Sequence, residues 1–272
     1  MSTLTSTNPV LSDSALGPIL AGERASGAAA ASLQGVMQKT SIAVGLAIAG
    51  GAGGYWLVQS FPSIMWIAAI ASLVVSLVMF FALSRSPKAA AIGTPIYAIV
   101  QGVGLGALSF VLEAVLKTMA IAVPGGLAMQ AFVVTGSIMA SMLALHTFGI
   151  VRAGPRFTSV LAVVTLGIFL TYLVSFILSF FSIQMPFLSL GSALEGGSSA
   201  WIGLGINGLI LVVASLWLLV DLAQIDEAVA AGAPKSMEWM LAFGLVVSLA
   251  WVYAESLKML FRLYAMFGRS DD

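Results

Sequence analysis

The stretch that decides the fold runs from Val220 to Met266 and reads VDLAQIDEAVAAGAPKSMEWMLAFGLVVSLAWVYAESLKMLFRLYAM. It is a long apolar hairpin with acidic residues at both ends. An ionisable group at hydrocarbon depth costs roughly 2.5 kcal/mol or more, so it usually lies at a headgroup boundary or lines a path for ions or protons. We therefore expect the function of the chain to lie in this hairpin.

The composition excludes an ordinary soluble domain. Of the 272 residues, 60% are hydrophobic and only 8% are charged, and the mean hydropathy is +1.07. One water-bounded core cannot bury so much apolar surface, so the lipid bilayer is the expected partner. The formal net charge is zero and no basic block is present, so nucleic acid is not expected to bind. The chain has no cysteine, which excludes disulfides and thiolate chemistry.

Apolar runs of about 20 residues, the length that crosses a hydrocarbon core of about 30 Å, recur along the chain. They are too long and too continuously apolar for barrel strands, so the sequence predicts an all-α integral membrane protein. Prolines fall at or next to the boundaries of the runs, where a missing N–H disrupts a helix least. Seven runs lie near 41–61, 62–84, 94–116, 127–150, 158–183, 199–222 and 237–260, and the prolines are Pro62, Pro95, Pro124, Pro155, Pro186 and Pro234.

The N-terminal residues 1–37 are rich in Ser, Thr, Ala and Gly, and they lack the basic start and early apolar run of a cleaved signal peptide. They predict a flexible tail before a transmembrane domain at 38–268. Lysine and arginine are more numerous in the segments that are cytoplasmic if the N-terminus lies inside. The expected topology is therefore N-terminus inside and C-terminus outside, although the basic end around Lys258 and Arg262 then lies outside.

Two apparent signals favour packing over chemistry. Gly203, Gly205 and Gly208 spell the G-x-G-x-x-G pattern of dinucleotide sites, but they lie inside an apolar run with no strand before them. Glycines also crowd the first and third runs, where small residues let helix backbones approach closely. His146 is the only histidine, so a metal site with two histidines from one chain is excluded. His146 itself is expected to cap or pack a helix end, and we expect neither an enzyme nor a resident cofactor.

Most of the acidic residues need no function. Glu113 sits next to Lys117 near a helix end, where a solvated pair is expected. Asp226 and Glu227 lie more than a turn past the sixth run, and they are expected to project into the cytoplasm on the continuation of the sixth helix. The candidates that remain in the last hairpin are Asp221, Glu238 and Glu255.

Several segments together resemble a known family. The chain looks like a bacterial branch of the Bax inhibitor family, the transmembrane Bax-inhibitor-motif proteins, and the resemblance runs from Gln38 to Met266 with the last two spans the most specific. It implies a bundle of seven helices with the last one central, in the bacterial cytoplasmic membrane, and a pH-sensitive calcium leak. The segments are NPVLS (8–12), TPIYAIVQGVGLGALS (94–109), GIVRAGPRF (149–157), LVDLAQID (219–226), GAPKSMEWMLAFGL (232–245) and WVYAESLKML (251–260).

In that family two aspartates, one on each of the last two helices, share a proton as the pH sensor, and an arginine after the second helix latches the closed state. The resemblance places the sixth-helix aspartate at Asp221 and the latch at Arg85. It places Ser248 where the second aspartate is expected. Glu255 is the obvious substitute, but about 1.5 Å of rise per residue puts it roughly 20 Å from Asp221 in height. Glu238 is closer in height and is expected at the cytoplasmic mouth.

Each of these residues also has a purely structural interpretation. Asp221 can be a boundary carboxylate paired with Arg85, Glu255 can pair with Lys258 or Arg262 on its own helix, and Ser248 can be a small packing residue.

Two functions of different classes follow. The first is a leak or regulator for a cation, with calcium expected and Asp221 as a transient ligand, because carboxylate oxygens suit hard cations and bind them less well when protonated. The second is a non-transporting partner of a membrane protease or other quality-control machinery, with the N-terminal tail as the segment that binds it. The sequence specifies no oligomeric state.

Overall fold

The structure is a computed structural model, and it describes residues 29–83, 86–151, 153–183, 185 and 187–268. In those residues the elements are helical, apart from one isolated bridge between Ala30 and Pro234. Seven of the helices have 19 residues or more. They are α1 (Leu33–Ser60), α2 (Met65–Leu83), α3 (Pro87–Thr118), α4 (Leu127–Thr147), α5 (Pro155–Ser179), α6 (Gly197–Ala230) and α7 (Glu238–Phe267). Short helical turns at Pro62–Ile64, Ser192–Glu195 and Lys235–Met237 join them.

Six of these helices are long and apolar enough to cross a membrane, and they are α1, α3, α4, α5, α6 and the last helix extended to Lys235. The all-α membrane fold predicted from the apolar runs is confirmed at this level. Within α2, Ile70–Leu83 forms a shorter apolar helix, so the predicted count of seven crossings stays a prediction.

The first helix begins before the first apolar run. The first helix begins at Leu33, inside the predicted tail, because Ser32 caps it by accepting a hydrogen bond from the Gly35 N–H. The rest of the tail, 1–28, lies outside the described residues.

The boundary expected at Pro95 is wrong. Helix α3 begins at Pro87, with the Ser86 side chain as its N-cap, and Pro95 lies inside it. A serine followed by a proline at the first helical position is a strong helix start. An internal proline is tolerated in a membrane helix because neighbouring helices and local adjustment satisfy the freed carbonyl. Pro155 begins α5 as expected, and Pro186 lies outside the described residues.

Glycines bring α1 and α3 into backbone contact. A Cβ on Gly54 would lie 2.2 Å from the Val103 carbonyl oxygen, and one on Gly106 would lie 1.9 Å from the Gly51 carbonyl oxygen. Only glycine permits such an approach, so the packing interpretation of this stripe is confirmed at these positions. Gly53 faces open space.

The last helix, α7, is the most enclosed of the spanning helices. In the last span, 61% of the most apolar window is buried, compared with 6% for α5. Helix α7 contacts α1, α3, α4 and α6, and its Phe243 ring packs edge-on against Tyr97 of α3, with centroids 4.9 Å apart. Several neighbouring helices therefore shield the residues of α7, and the candidate site lies in this shielded region.

Candidate functional site

A buried polar pair joins the last two helices. Asp221 of α6 is 2% exposed and Ser248 of α7 is 8% exposed. The Ser248 hydroxyl donates a hydrogen bond to Oδ2 of Asp221. The structure thus brings together the two positions that the resemblance aligned with the family's aspartate pair.

Apolar residues flank Asp221 along α6. Leu218 and Ile225 lie one turn before and one turn after Asp221 on the same face of α6, and both are buried. A carboxylate in such surroundings must keep hydrogen-bond partners, because an unsatisfied buried charge is costly. The carboxylate and hydroxyl oxygens of the pair are the kind of ligand that a hard cation accepts, and a proton on the carboxylate weakens that binding.

The predicted latch, Arg85, lies outside the described residues. Its expected contact with Asp221 therefore remains a prediction.

Glu255 is held away from Asp221 by a different set of partners. Its Oε2 accepts a hydrogen bond from Asn207 Nδ2 of α6 at 2.7 Å, and its Oε1 pairs with Lys258 Nζ. Ser248, which contacts Asp221, lies seven residues before Glu255 on α7, a rise of about 10 Å. The expected height difference of roughly 20 Å between Asp221 and Glu255 is therefore wrong, because the two helices are offset from the simple count around the turn. Of the two pairings expected on its own helix, Glu255 adopts the one with Lys258.

Glu238 anchors the opposite end of α7 to the start of α1. Its carboxylate accepts hydrogen bonds from the backbone N–H and the hydroxyl of Ser32, and it pairs with Lys39. The Ala31 N–H also donates to the Ala233 carbonyl. The segment before α1 is thereby fastened to the connection between α6 and α7.

Two acidic residues differ from their expected surroundings. Asp226 pairs with His146 of α4, with 2.7 Å between Oδ2 and Nε2, which the sequence did not indicate for either residue. The expectation of a solvated Glu113 is wrong, because its side chain is 9% exposed and its Oε2 accepts the Leu127 N–H at 3.1 Å. Helix α4 begins there after a glycine that has no side-chain cap, so Glu113 satisfies its first amide. Its partner Lys117 is 65% exposed.

No group of three or more His, Cys, Asp or Glu side chains able to hold a metal ion occurs in the part of the chain that the structure describes. A cation at Asp221 would therefore rely on one carboxylate together with hydroxyl, carbonyl and water oxygens. Such a ligand set suits passage better than firm retention, because calcium affinity rises with the charge and number of the ligands.

One comparison with known proteins agrees with the resemblance. A sequence model of a protein family, described as Bax inhibitor 1 like, matches residues 8–265. Searches of curated proteins and of solved structures found no match. The matched range contains all seven long helices, apart from the last two residues of α7, and both members of the Asp221–Ser248 pair. The chain therefore belongs to the Bax inhibitor 1 like family.

Proposed function

We propose that the protein is a pH-sensitive leak for a cation, with calcium as the first candidate. The observation that supports it is the hydrogen-bonded pair of Asp221 and Ser248, buried between α6 and α7 of a membrane bundle. An ionisable group at this depth is costly, and such groups usually mark ion or proton paths.

In this proposal, pH control comes from the Asp221–Ser248 pair. In the structure the Ser248 hydroxyl donates to the carboxylate, which ties α6 to α7. An arriving cation would take the carboxylate and hydroxyl oxygens as ligands in place of this bond. Protonation of Asp221 would remove the negative charge that attracts the cation. Proton and cation thus compete for the same oxygen atoms, which is the basis of pH control.

The other two candidate carboxylates, Glu255 and Glu238, each have a lysine beside them. Glu255 is paired with Lys258 and Glu238 with Lys39. A lysine beside a carboxylate cancels its attraction for a cation.

The proposal includes a topology. The chain crosses a bacterial cytoplasmic membrane seven times, with the N-terminus inside and α7 central. Two observations support it: α2 has 19 residues, which is about 28 Å of helix, and α7 contacts four other long helices.

The test is calcium flux from liposomes that contain purified protein and an internal calcium dye, measured across a pH series. We expect flux above that of empty vesicles, and a loss of about tenfold or more for Asp221→Asn, since charge-assisted contacts are worth about 1.5–3 kcal/mol. The control is Asp226→Asn, the same change on the same helix at a side chain that is 53% exposed. That variant should keep flux within about twofold of wild type, because exposed pairs contribute little.

Two results would contradict the proposal. Unchanged flux and pH response in Asp221→Asn would exclude this carboxylate as the sensor. Wild-type flux no greater than that of empty vesicles would exclude the leak and favour the non-transporting partner of a membrane protease. In that case the fastening of the N-terminal segment to the connection between α6 and α7 is the contact to examine.

A further inference from the structure

Arg262, near the end of α7, is a buried cation with neutral partners. It is 3% exposed. Its Nη1 donates to Ser192 Oγ at 3.2 Å, and its Nη2 donates to the carbonyl oxygens of Leu188 and Ser189 at 3.4 and 3.1 Å. A hydroxyl and two carbonyls satisfy hydrogen bonds, but they carry no negative charge. The guanidinium therefore keeps its full charge at a buried position, which is costly without a counter-charge.

The charged groups nearest to Arg262 do not neutralise it. Glu255 is near enough to interact electrostatically with Arg262, but its carboxylate is already paired with Lys258. These three ionised groups therefore sum to one excess positive charge. Glu195, on the helical turn that contains Ser192, is exposed and forms no ion pair within the described residues.

The chain provides a narrow cleft beside these cations. The cleft is open on one side, and Asn207, Lys258 and Arg262 line it together with Tyr172 of α5. Lys258 Nζ lies 5.6 Å from the centre of the Tyr172 ring. Gly203 makes room for the guanidinium, because a Cβ there would lie 2.4 Å from Arg262 Nη1.

Two residues that line the cleft have a buried atom without a hydrogen-bond partner in the described part of the chain. These atoms are Arg262 Nε, a donor, and Asn207 Oδ1, an acceptor, and only the donor bears on an anion. An unpaired guanidinium donor and a spare positive charge both favour an oxyanion as the missing partner. The enclosed part of the cleft takes about one water molecule. An oxyanion would therefore sit at its mouth, where Lys258 is partly exposed, with one oxygen directed inwards.

We propose that Lys258 and Arg262 form a binding site for an oxyanion of the phosphate class. Two sources share this chemistry, the phosphate of an anionic lipid headgroup and free inorganic phosphate. The competing interpretation is a brace, in which Arg262 only fastens residues 187–192 to α7 through its three hydrogen bonds. A brace predicts no saturable response to any phosphate.

The test uses the full chain, purified in detergent and stripped of lipid, with thermal unfolding followed by the fluorescence of its six tryptophans. One arm adds inorganic phosphate against chloride at constant ionic strength, and the other adds phosphatidylglycerol against phosphatidylcholine. A ligand that binds only the folded state raises the unfolding midpoint in a saturable way. We expect such a rise in at least one arm, and an apparent affinity about tenfold weaker in Arg262→Gln.

Two further variants complete the design. Lys117→Gln removes a lysine that is 65% exposed on α3, and it should respond within about twofold of wild type. The double variant Glu255→Gln/Lys258→Gln removes the cleft lysine without leaving a buried carboxylate, and it should weaken the response several-fold. It tests the site even if Arg262→Gln fails to fold.

The two arms identify the source of the oxyanion. A response to phosphatidylglycerol alone assigns a lipid headgroup, and a response to inorganic phosphate assigns a soluble oxyanion. The absence of a saturable response in both arms overturns the proposal. An undiminished response in every variant that folds also overturns it.

Discussion

Replacing Gly106 by alanine should separate α1 from α3. The added Cβ would lie 1.9 Å from the Gly51 carbonyl oxygen and 2.7 Å from its carbonyl carbon, and real Cβ atoms essentially never approach within 3.0 Å. Both obstructing atoms belong to the backbone, so no side-chain rotation relieves the contact. The two helices must move apart by more than 1 Å at this point, or one of them must bend.

The magnitude follows from two opposing contributions. Overpacking a close interface costs about 1–3 kcal/mol, and a gap of about 0.5–1 Å already removes a quarter to a half of each dispersion contact along it. Alanine in place of glycine returns about 1 kcal/mol of helix propensity. We therefore expect Gly106→Ala to lower the free energy of unfolding by about 1–3 kcal/mol, since the loss of contacts extends along the helices.

The matched control is Gly53→Ala on α1, where nothing lies within 4 Å of the added Cβ. This variant should gain up to about 1 kcal/mol from propensity alone. The assay is thermal unfolding of both variants in one detergent, with circular dichroism at a helix wavelength. We expect Gly106→Ala to unfold roughly 2–10 °C below wild type and Gly53→Ala at or above it. Equal midpoints for the two variants would refute the close-contact argument.

Two further predictions concern the polar contacts of α7. Wild-type flux should vary weakly between about pH 6 and 8. Ser248→Asp should introduce a pH response in that range, because two adjacent carboxylates titrate as a coupled pair. A pH profile of this variant like that of wild type would contradict the pairing with Asp221. Gly35→Ala should lower the free energy of unfolding by about 1–3 kcal/mol, because its Cβ would lie 2.2 Å from Glu238 Oε1, while Gly45→Ala, with nothing within 4 Å, should not destabilise. Equal unfolding midpoints for these two alanine variants would show that the Glu238 carboxylate moves aside freely.

The spans could be predicted from the sequence because hydrocarbon thickness sets their length. Their ends could not, since a scan for apolar residues detects the lipid-facing part of a helix and not its continuation. Helix α6 is the exception, because its expected continuation through Asp226 and Glu227 is confirmed and the helix extends to Ala230. The start of α3 is an end that the scan for apolar residues misplaces. The apolar run predicts a boundary at Pro95, while the local capping signal lies upstream at Ser86 and Pro87.

Some contacts of the candidate site could be predicted from the sequence and others could not. The position of Ser248 opposite Asp221 followed from alignment to a family pattern, and the structure has the two in contact. Asn207 on α6, the partner of Glu255, was missed because a single amide in an apolar run forms no recognisable sequence motif. It carries one signal, which is that polar side chains within membrane spans tend to bond across helices. Glu113 was misjudged because a lysine four residues later resembles a surface pair, while its main partner comes from another helix.

The spacing of Glu238, Ser248 and Glu255 along α7 constrains how any leak must open. Ser248, with its partner Asp221, lies ten residues from Glu238 and seven from Glu255, which is about 15 Å and about 10 Å of helix. Both outer carboxylates are paired with a lysine, and between them Asp221 accepts a hydrogen bond from Ser248. A cation that follows α7 would therefore meet an ammonium group near each end before it reached the central pair. Conduction then requires more than a change of protonation at Asp221, because the end lysines must also move or be displaced. In the proposed leak, the pH response of the central pair and the opening of the ends are therefore separate steps.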